Sequence, residues 1–375
     1  MKKIYLTFFL FFTTLSGMAT QGRDTITFKG QLSTWFNYNS TNDEFLLGGR
    51  YIPQLNASKE FLKSYLIDAE VSANLFGILP GNPNPEGKVK PYRAWGRFSS
   101  QQFELRAGLQ KINFGSATML RPLMWFDQMD PRDPLQLTDG VWGILGRYYF
   151  LNNTNIWLWS LYGNKNPKGW EFAKTNSNYP EFGGRIQVPI SIGEAALSYH
   201  FRIADTREMF STDLQFEEVA ENRIGLDAKF DWVVGFWAEG AWVSSRRNLM
   251  TFTNQTILNV GVDYTFGFGS GLYVAAEQLL ASYDEKPFAF GNRVNFSLLS
   301  ISYPVSLFDN VGTIFYYSWE MDKVYSFLNW QRQYNQISLH LMAYWNPETI
   351  DLPQQNLQSN MFGGKGVQLM FVFNH

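Results

Sequence analysis

The chain has 375 residues, with 31 lysines and arginines against 33 aspartates and glutamates, a formal net charge of −2 and no cysteine. This balance, without a clustered basic stripe, argues against a nucleic-acid partner, and the lack of cysteine excludes disulfides and thiolate metal sites. Aromatic residues make up 17% of the chain although its mean hydropathy is only −0.22. That combination is typical of strands that show only every second residue to lipid.

The first twenty residues have the pattern of a secretory signal peptide. Lys2 and Lys3 precede a mostly apolar run over residues 4–15, and Gly17 and Ala19 supply a small-residue cleavage site. We expect residues 1–20 to be removed, the alternative being an uncleaved anchor, and residues 21–375 to form one domain. No later stretch approaches the ~20 apolar residues of a spanning helix.

Apolar and charged side chains alternate through the rest of the chain. The segments from Leu197 to Ile203 and from Arg223 to Asp231 show this most clearly. A strand points successive side chains to opposite faces, so each segment has one apolar and one charged face. Because no amphipathic helix is available to cover the apolar faces, the pattern predicts an all-β, antiparallel transmembrane β-barrel in a bacterial outer membrane.

About eighteen such segments can be counted, separated by turn residues. They cover residues 26–38, 44–54, 65–77, 89–99, 102–113, 140–151, 154–163, 181–190, 194–204, 221–231, 234–245, 255–267, 271–282, 292–304, 310–320, 323–333, 335–346 and 366–375. Sixteen strands would result if 44–54 or 323–333 belonged to a loop. Short connections alternate with long ones, and since outer-membrane barrels have short periplasmic turns, we expect the long connections outside the cell.

The charged phase of each strand predicts the lining of the lumen, because a charge at mid-depth in lipid would cost ~2–4 kcal/mol. The residues assigned to the lumen are Glu104, Arg185, His200, Arg202, Arg223, Asp227, Lys229 and Asp263. Mixed pairs of this kind can simply fill a wet interior. As a population rich in arginine, they favour a polar passage for anionic or hydroxyl-rich solutes.

The connection over residues 114–139 is too apolar for bulk water and carries three prolines. We expect it to fold into the lumen and narrow it, with Leu120, Leu123, Trp125 and Phe126 against the wall. The alternative is a lid over the rim or a subunit contact. The candidates for the constriction and for solute contact are Arg121, Asp127, Asp130, Arg132 and Asp133 of the loop, with Arg93, Arg97 and Arg106 of the wall.

Two stretches around this loop resemble porin-like barrels of Bacteroidota and their proteobacterial relatives. They are the run from Arg106 to Gly115, of the type GxQxIxxG, and the run from Asp127 to Pro134, with turns of the type NPxDP. The resemblance implies a porin-type barrel of 16–18 strands and identifies no substrate. One departure is the end of the chain, where Phe373 is followed by Asn374 and His375, whereas porins usually end in an aromatic residue that the barrel-assembly machinery recognises.

These observations favour an outer-membrane channel for diffusion or selective uptake of small hydrophilic solutes. The alternative is a non-conducting barrel that binds or scaffolds in a surface-polysaccharide or secretion complex. An enzyme is disfavoured because His200 and His340 lie in mid-strand on polar faces, and no catalytic, metal or cofactor motif is present. Expected partners are membrane lipid, the solute and, through the C-terminal strand, the assembly machinery; whether the barrel forms a homo-oligomer stays open.

Overall fold

The computed structural model describes residues 24–62, 64–80, 86–210, 214–348 and 359–375. The expected signal peptide, residues 1–20, lies outside these ranges. The described chain consists of strands, connections and two 3₁₀ helices, Met250–Phe252 and Ser359–Phe362. None of its helices has the length and apolar character needed to cross a membrane.

The strands form one antiparallel sheet. In chain order they are β1 (Asp24–Asn39), β2 (Glu44–Phe61), β3 (Tyr65–Pro80), β4 (Glu86–Ser99), β5 (Phe103–Gln110), β6 (Val141–Tyr149), β7 (Asn155–Leu161), β8 (Lys174–Thr175), β9 (Glu181–Ile190), β10 (Gly193–Asp205), β11 (Val219–Asp231), β12 (Gly235–Ser245), β13 (Asn254–Phe266), β14 (Leu272–Asp284), β15 (Arg293–Pro304), β16 (Asp309–Ser318), β17 (Lys323–Gln333), β18 (Ile337–Trp345) and β19 (Lys365–Asn374).

Pairing of the first strand with the last closes the sheet into a barrel. β1 pairs with β2 on one side and with β19 on the other, in a register that runs from Gln31 opposite Asn374 to Asn39 opposite Gly366. The two-residue β8 pairs only with the end of β10, so the wall has eighteen strands. The prediction of an eighteen-stranded all-β barrel is confirmed. The sixteen-strand alternative is wrong, because β2 and β17 are both wall strands.

The strand limits differ from the predicted ones at some positions. There, backbone pairing with the neighbouring strand determines the limit, and the alternation of side chains does not. β2 continues past residue 54 to Phe61, because residues 54–61 pair with β3 although many of their side chains are polar. β5 ends at Gln110 instead of residue 113, because the chain leaves the sheet there and turns into the barrel. β8 has only two residues, too few to show a period.

The two faces of the wall have opposite character, as β10 illustrates. The outward side chains of Leu197 and Tyr199 are 48% and 39% exposed, whereas the inward Ser198 and His200 are fully buried and Arg202 is 1% exposed. The cross-strand register transmits this phase to β11, where Leu226 lies opposite Leu197 and is 60% exposed. The outer surface is therefore a band of apolar side chains around a mainly polar interior.

Short turns and long connections lie at opposite ends of the barrel. The turns after β6, β9, β11, β13, β15 and β17 are short, and both ends of the described chain lie at their end of the barrel. There the backbone N–H of His375 donates to the carbonyl of Gly30 at 3.0 Å. The connections after β5, β7, β10 and β18 extend from the other end, and the one after β5, residues 111–140, lies inside the barrel.

Candidate functional site: the lumen and its inward loop

A glutamate of β14 holds the tip of the 111–140 loop inside the barrel. The Glu277 carboxylate accepts hydrogen bonds from the backbone N–H groups of residues 118–120 at 2.6–3.0 Å and from the Thr118 hydroxyl at 2.8 Å. The amide of Asn259, on the neighbouring β13, donates to the carbonyl of Leu120 at 2.7 Å. Bonds to an ionised acceptor are stronger than neutral ones, so this contact fixes the loop against the wall across the lumen from β5.

A second glutamate, Glu239 on β12, fixes the segments on either side of that tip. Its carboxylate accepts hydrogen bonds from the backbone N–H of Ala117 at 2.9 Å and of Leu123 at 2.6 Å. The Ser116 hydroxyl donates to Asp227 on β11 at 3.0 Å. Residues 116–123 thus contact three inward-facing acids on three strands. Glu239 and Glu277 were missed from the sequence, since each is the one acid on the inner face of a strand that is otherwise short of charge.

Apolar side chains pack the loop against the wall. Leu120, Leu123, Trp125 and Phe126 are between 1% and 4% exposed. Leu120 belongs to a cluster on the inner faces of β13–β18, and the other three belong to a cluster on β6, β7 and β12. Burying a large apolar side chain contributes about 1.5–3 kcal/mol, so these four residues add substantially to the glutamate contacts.

The charged candidates of the loop have hydrogen-bond partners within the loop itself. Arg121 donates to Asp127 at 3.0 Å, with side chains 7% and 1% exposed. Arg132 and Asp130 form a two-pronged pair at 2.8 and 2.6 Å. Asp133 accepts from the backbone N–H of residues 135 and 137. These contacts stabilise the loop's own conformation, and a contact of the five residues with solute stays a prediction.

Two of the three wall candidates, Arg97 and Arg106, belong to a more open network, whereas Arg93 is buried. Arg97 donates to Asp68 at 2.9 and 2.6 Å and to Glu104 at 3.3 Å. Arg106 also donates to Glu104, at 3.1 Å, and Arg147 on β6 lies 3.6 Å from the same carboxylate. The side chain of Arg97 is 26% exposed, so this network reaches the open part of the lumen. Arg147 belongs to the network but was missed from the sequence.

The remaining predicted lumen residues lie on the inner wall with fixed partners. Arg185 pairs with Asp227 at 2.5 and 2.9 Å, and both are buried. Lys229 lies 3.4 Å from Asp231, and Asp263 accepts from the Tyr273 hydroxyl at 3.0 Å.

A buried network on β10 and β11 ties the connection after β7 to the wall. Arg202 and Arg223 both pair with Glu221 of the wall and with Glu171 of that connection, at 2.5–3.0 Å. A cavity of about 50 Å³ adjoins these four side chains. Because two acids neutralise the two arginines, we assign this network a role in positioning the 162–180 connection.

His200 is fixed by two neighbours. The Trp159 indole N–H donates to its Nδ1 at 3.2 Å, and Nε2 lies 3.2 Å from Glu181. The described residues contain no group of three or more histidines and acids that could hold a metal ion.

Three lysines near the loop were not singled out from the sequence. Lys111 and Lys168 lie in or beside connections, where strand phase gives no assignment, and Lys90 precedes the irregularity that shifts the phase of β4. Lys90 on β4 pairs with Asp139 at 2.6 and 2.7 Å. Lys111, directly after β5, has its ammonium 3.3 Å from the Met129 sulfur. Lys168 lies in the connection after β7 and is half-buried.

No protein-family model and no curated protein sequence matches the chain. Solved outer-membrane porins match its structure over almost its full length. OccD3 of Pseudomonas aeruginosa has a TM-score of 0.59 at 10% identity, covering 94% of this chain and 92% of its own. OccK5 of the same organism has 0.55 at 10%, covering 93% and 97%. A loop-deletion variant of OmpT, an outer membrane protein of Vibrio cholerae, has 0.51 at 10%, covering 94% and 100%. At this identity the similarity establishes the eighteen-stranded porin fold.

The Glu277 contact predicts how the loop responds to its loss. Glu277→Ala removes the acceptor of three backbone N–H groups, and each donor left buried without a partner costs about 1–3 kcal/mol. We expect the barrel to form while residues 116–126 become sensitive to limited proteolysis in detergent. The control is Glu194→Ala, which removes a carboxylate that contacts Gln187 at the turn end of the barrel and not the loop. Equal protease resistance in both variants would show that Glu277 does not anchor the loop.

Proposed function

We propose that this protein is an outer-membrane channel for small hydrophilic solutes that are anionic or rich in hydroxyl groups. The observation that carries the proposal is a closed eighteen-stranded barrel with an apolar outer band, a charged interior and one connection anchored inside the lumen. Lipid would surround the outer band, because a continuous ring of exposed apolar side chains has no place in water.

The inward loop favours a selective passage and argues against a wide diffusion pore. It crosses from β5 to β14 and returns to β4, where the Arg93 guanidinium donates to the carbonyl of Thr138 at 2.9 Å. Apolar clusters cover the inner faces of β13–β18 and of β6, β7 and β12. We therefore propose that the polar route lies beside β3–β5. There Arg97, Arg106 and their partners would contact the solute.

The proposal also implies a route of export and of assembly into the outer membrane. The signal peptide would direct export, and β19 would present its outward aromatic and aliphatic side chains to the barrel-assembly machinery. We propose a transport role and no catalysis, since His200 is engaged by Trp159 and Glu181 in a buried site.

One observation favours the scaffold alternative, namely the amount of apolar surface packed between the loop and the wall. Single-channel recording in a planar bilayer separates the two functions. A channel gives discrete conductance steps with the purified protein, whereas a scaffold gives none at any voltage at which the bilayer is stable.

The assignment of faces predicts that Leu226→Arg impairs assembly. Leu226 points outward in mid-strand, where an arginine would cost ~2–4 kcal/mol in the centre of a bilayer. The matched control is Gln187→Arg, which places the same charge on the inner wall within reach of Glu194. We expect loss of the heat-modifiable folded band in lipid vesicles for Leu226→Arg alone. Equal folding of both variants would contradict the assignment.

The inward loop predicts a second effect. Deletion of residues 119–133, with Thr118 fused directly to Pro134, removes the apolar anchors and the part of the loop that crosses the lumen. We expect a several-fold higher single-channel conductance and a larger size limit in a liposome-swelling assay, because a constriction sets both quantities. If the deletion variant folds and both quantities stay as in the parent protein, the loop is not the constriction.

A further inference from the structure

Three cations lie around Asp127 and Asp139, where the 111–140 loop, the connection after β7 and β4 meet. They are Arg93, Lys111 and Lys168, and we call them the cationic junction. Within the described ranges, no carboxylate oxygen lies within 4.0 Å of any of their charged nitrogens. Buried or half-buried cations without an ion-pair partner are costly, so an arrangement of three requires an explanation.

Hydrogen bonds between the three segments bring the junction together. The backbone N–H of Gln128 donates to the Thr138 hydroxyl at 2.8 Å, which closes the loop's two limbs onto each other. The Gln128 side-chain amide donates to the carbonyl of Pro167 at 2.8 Å, which places Lys168 beside this closure. Arg93 reaches the same point through its bond to Thr138.

The acids around the junction form ion pairs with other cations. Asp127 is paired with Arg121, Asp139 with Lys90, and Glu171 with the two arginines of β10 and β11. Burial lowers the pKa of Lys111, and the charge of Arg93 lowers it further against the opposing effect of Asp127. Burial likewise lowers the pKa of Lys168, against the opposing charges of Asp139 and Glu171. Both ammonium groups are thus desolvated without a full counter-charge.

We infer that the cationic junction binds a small oxyanion, either phosphate or a carboxylate, as it passes through the lumen. The inference rests on the proposed channel and specifies its solute class. Two ammonium groups offer unused hydrogen-bond donors beside a guanidinium, and an oxyanion accepts several charge-assisted bonds at once. A neutral sugar would leave three cations uncompensated.

The test is the double variant Lys111→Gln/Lys168→Gln. Sodium phosphate and sodium acetate are titrated separately against chloride current in planar bilayers, and against the protein in detergent by calorimetry. We expect at least one of the two anions to block and bind the parent protein, and the double variant to bind it about tenfold or more weakly, which is ~1.4 kcal/mol or more. The anion that binds tighter distinguishes phosphate from carboxylate.

The matched control is Lys229→Gln/Lys323→Gln, which removes the same charge from the inner wall outside the junction. This variant is expected to keep the affinity of the parent protein. Equal weakening by both double variants would show a general charge effect and overturn the inference, and so would the absence of binding in the parent protein. Should the double variant fail to fold, Lys168→Gln alone, in a connection outside the sheet, gives the same comparison against Lys323→Gln alone.

Calorimetry separates the two proposals. A parent protein that binds an oxyanion through Lys111 and Lys168 but shows no conductance contradicts the channel and retains the binding site. A parent protein that conducts, with block unchanged in the double variant, retains the channel and contradicts the site.

Discussion

The structure depends on how the backbone N–H groups of residues 117–123 are satisfied. A connection inside a closed barrel has no strand to pair with, and a buried donor without an acceptor is costly. Glu239 and Glu277 supply the acceptors from the wall, so the path of the loop is set by two side chains on β12 and β14. Because these carboxylates accept hydrogen bonds from the loop, they are not available to neutralise cations elsewhere in the lumen.

The loop's own charges follow the same logic. Arg121 with Asp127 and Arg132 with Asp130 are internal pairs, so the loop enters the barrel nearly neutral. Internal pairing satisfies the charges without wall partners. The prolines restrict the backbone of the loop, so that less conformational freedom is lost when the loop folds into the barrel. The positive charge that remains uncompensated belongs to the junction of the loop with its surroundings, not to its centre.

The sequence was sufficient for the fold and insufficient for the site. Period-two alternation reports the faces of each strand, and all eighteen wall strands were found from it. Side-chain pairing within the loop and across the lumen depends on the path of a connection, which has no period. Glu239, Glu277, Lys111 and Lys168 were therefore missed. Arg121 and Asp127 were found but assigned to the passage, because residue type alone does not show that they pair with each other.

The apolar inner faces of β13 and β14 are the clearest indication in the sequence that a segment lies inside the barrel. On β14, Ala275, Leu279 and Ala281 point inward and are buried, and on β13 Ile257 does the same. In an empty water-filled barrel these positions would be polar, since they would face solvent. Their apolar character means that an apolar segment covers them, and here it is the loop through Leu120, together with Trp170 of the connection after β7. Partly exposed charges such as Arg97 and Asp68 remain on β3 and β4, away from these clusters. In the proposed channel, this part of the wall and the inward loop together set the selectivity.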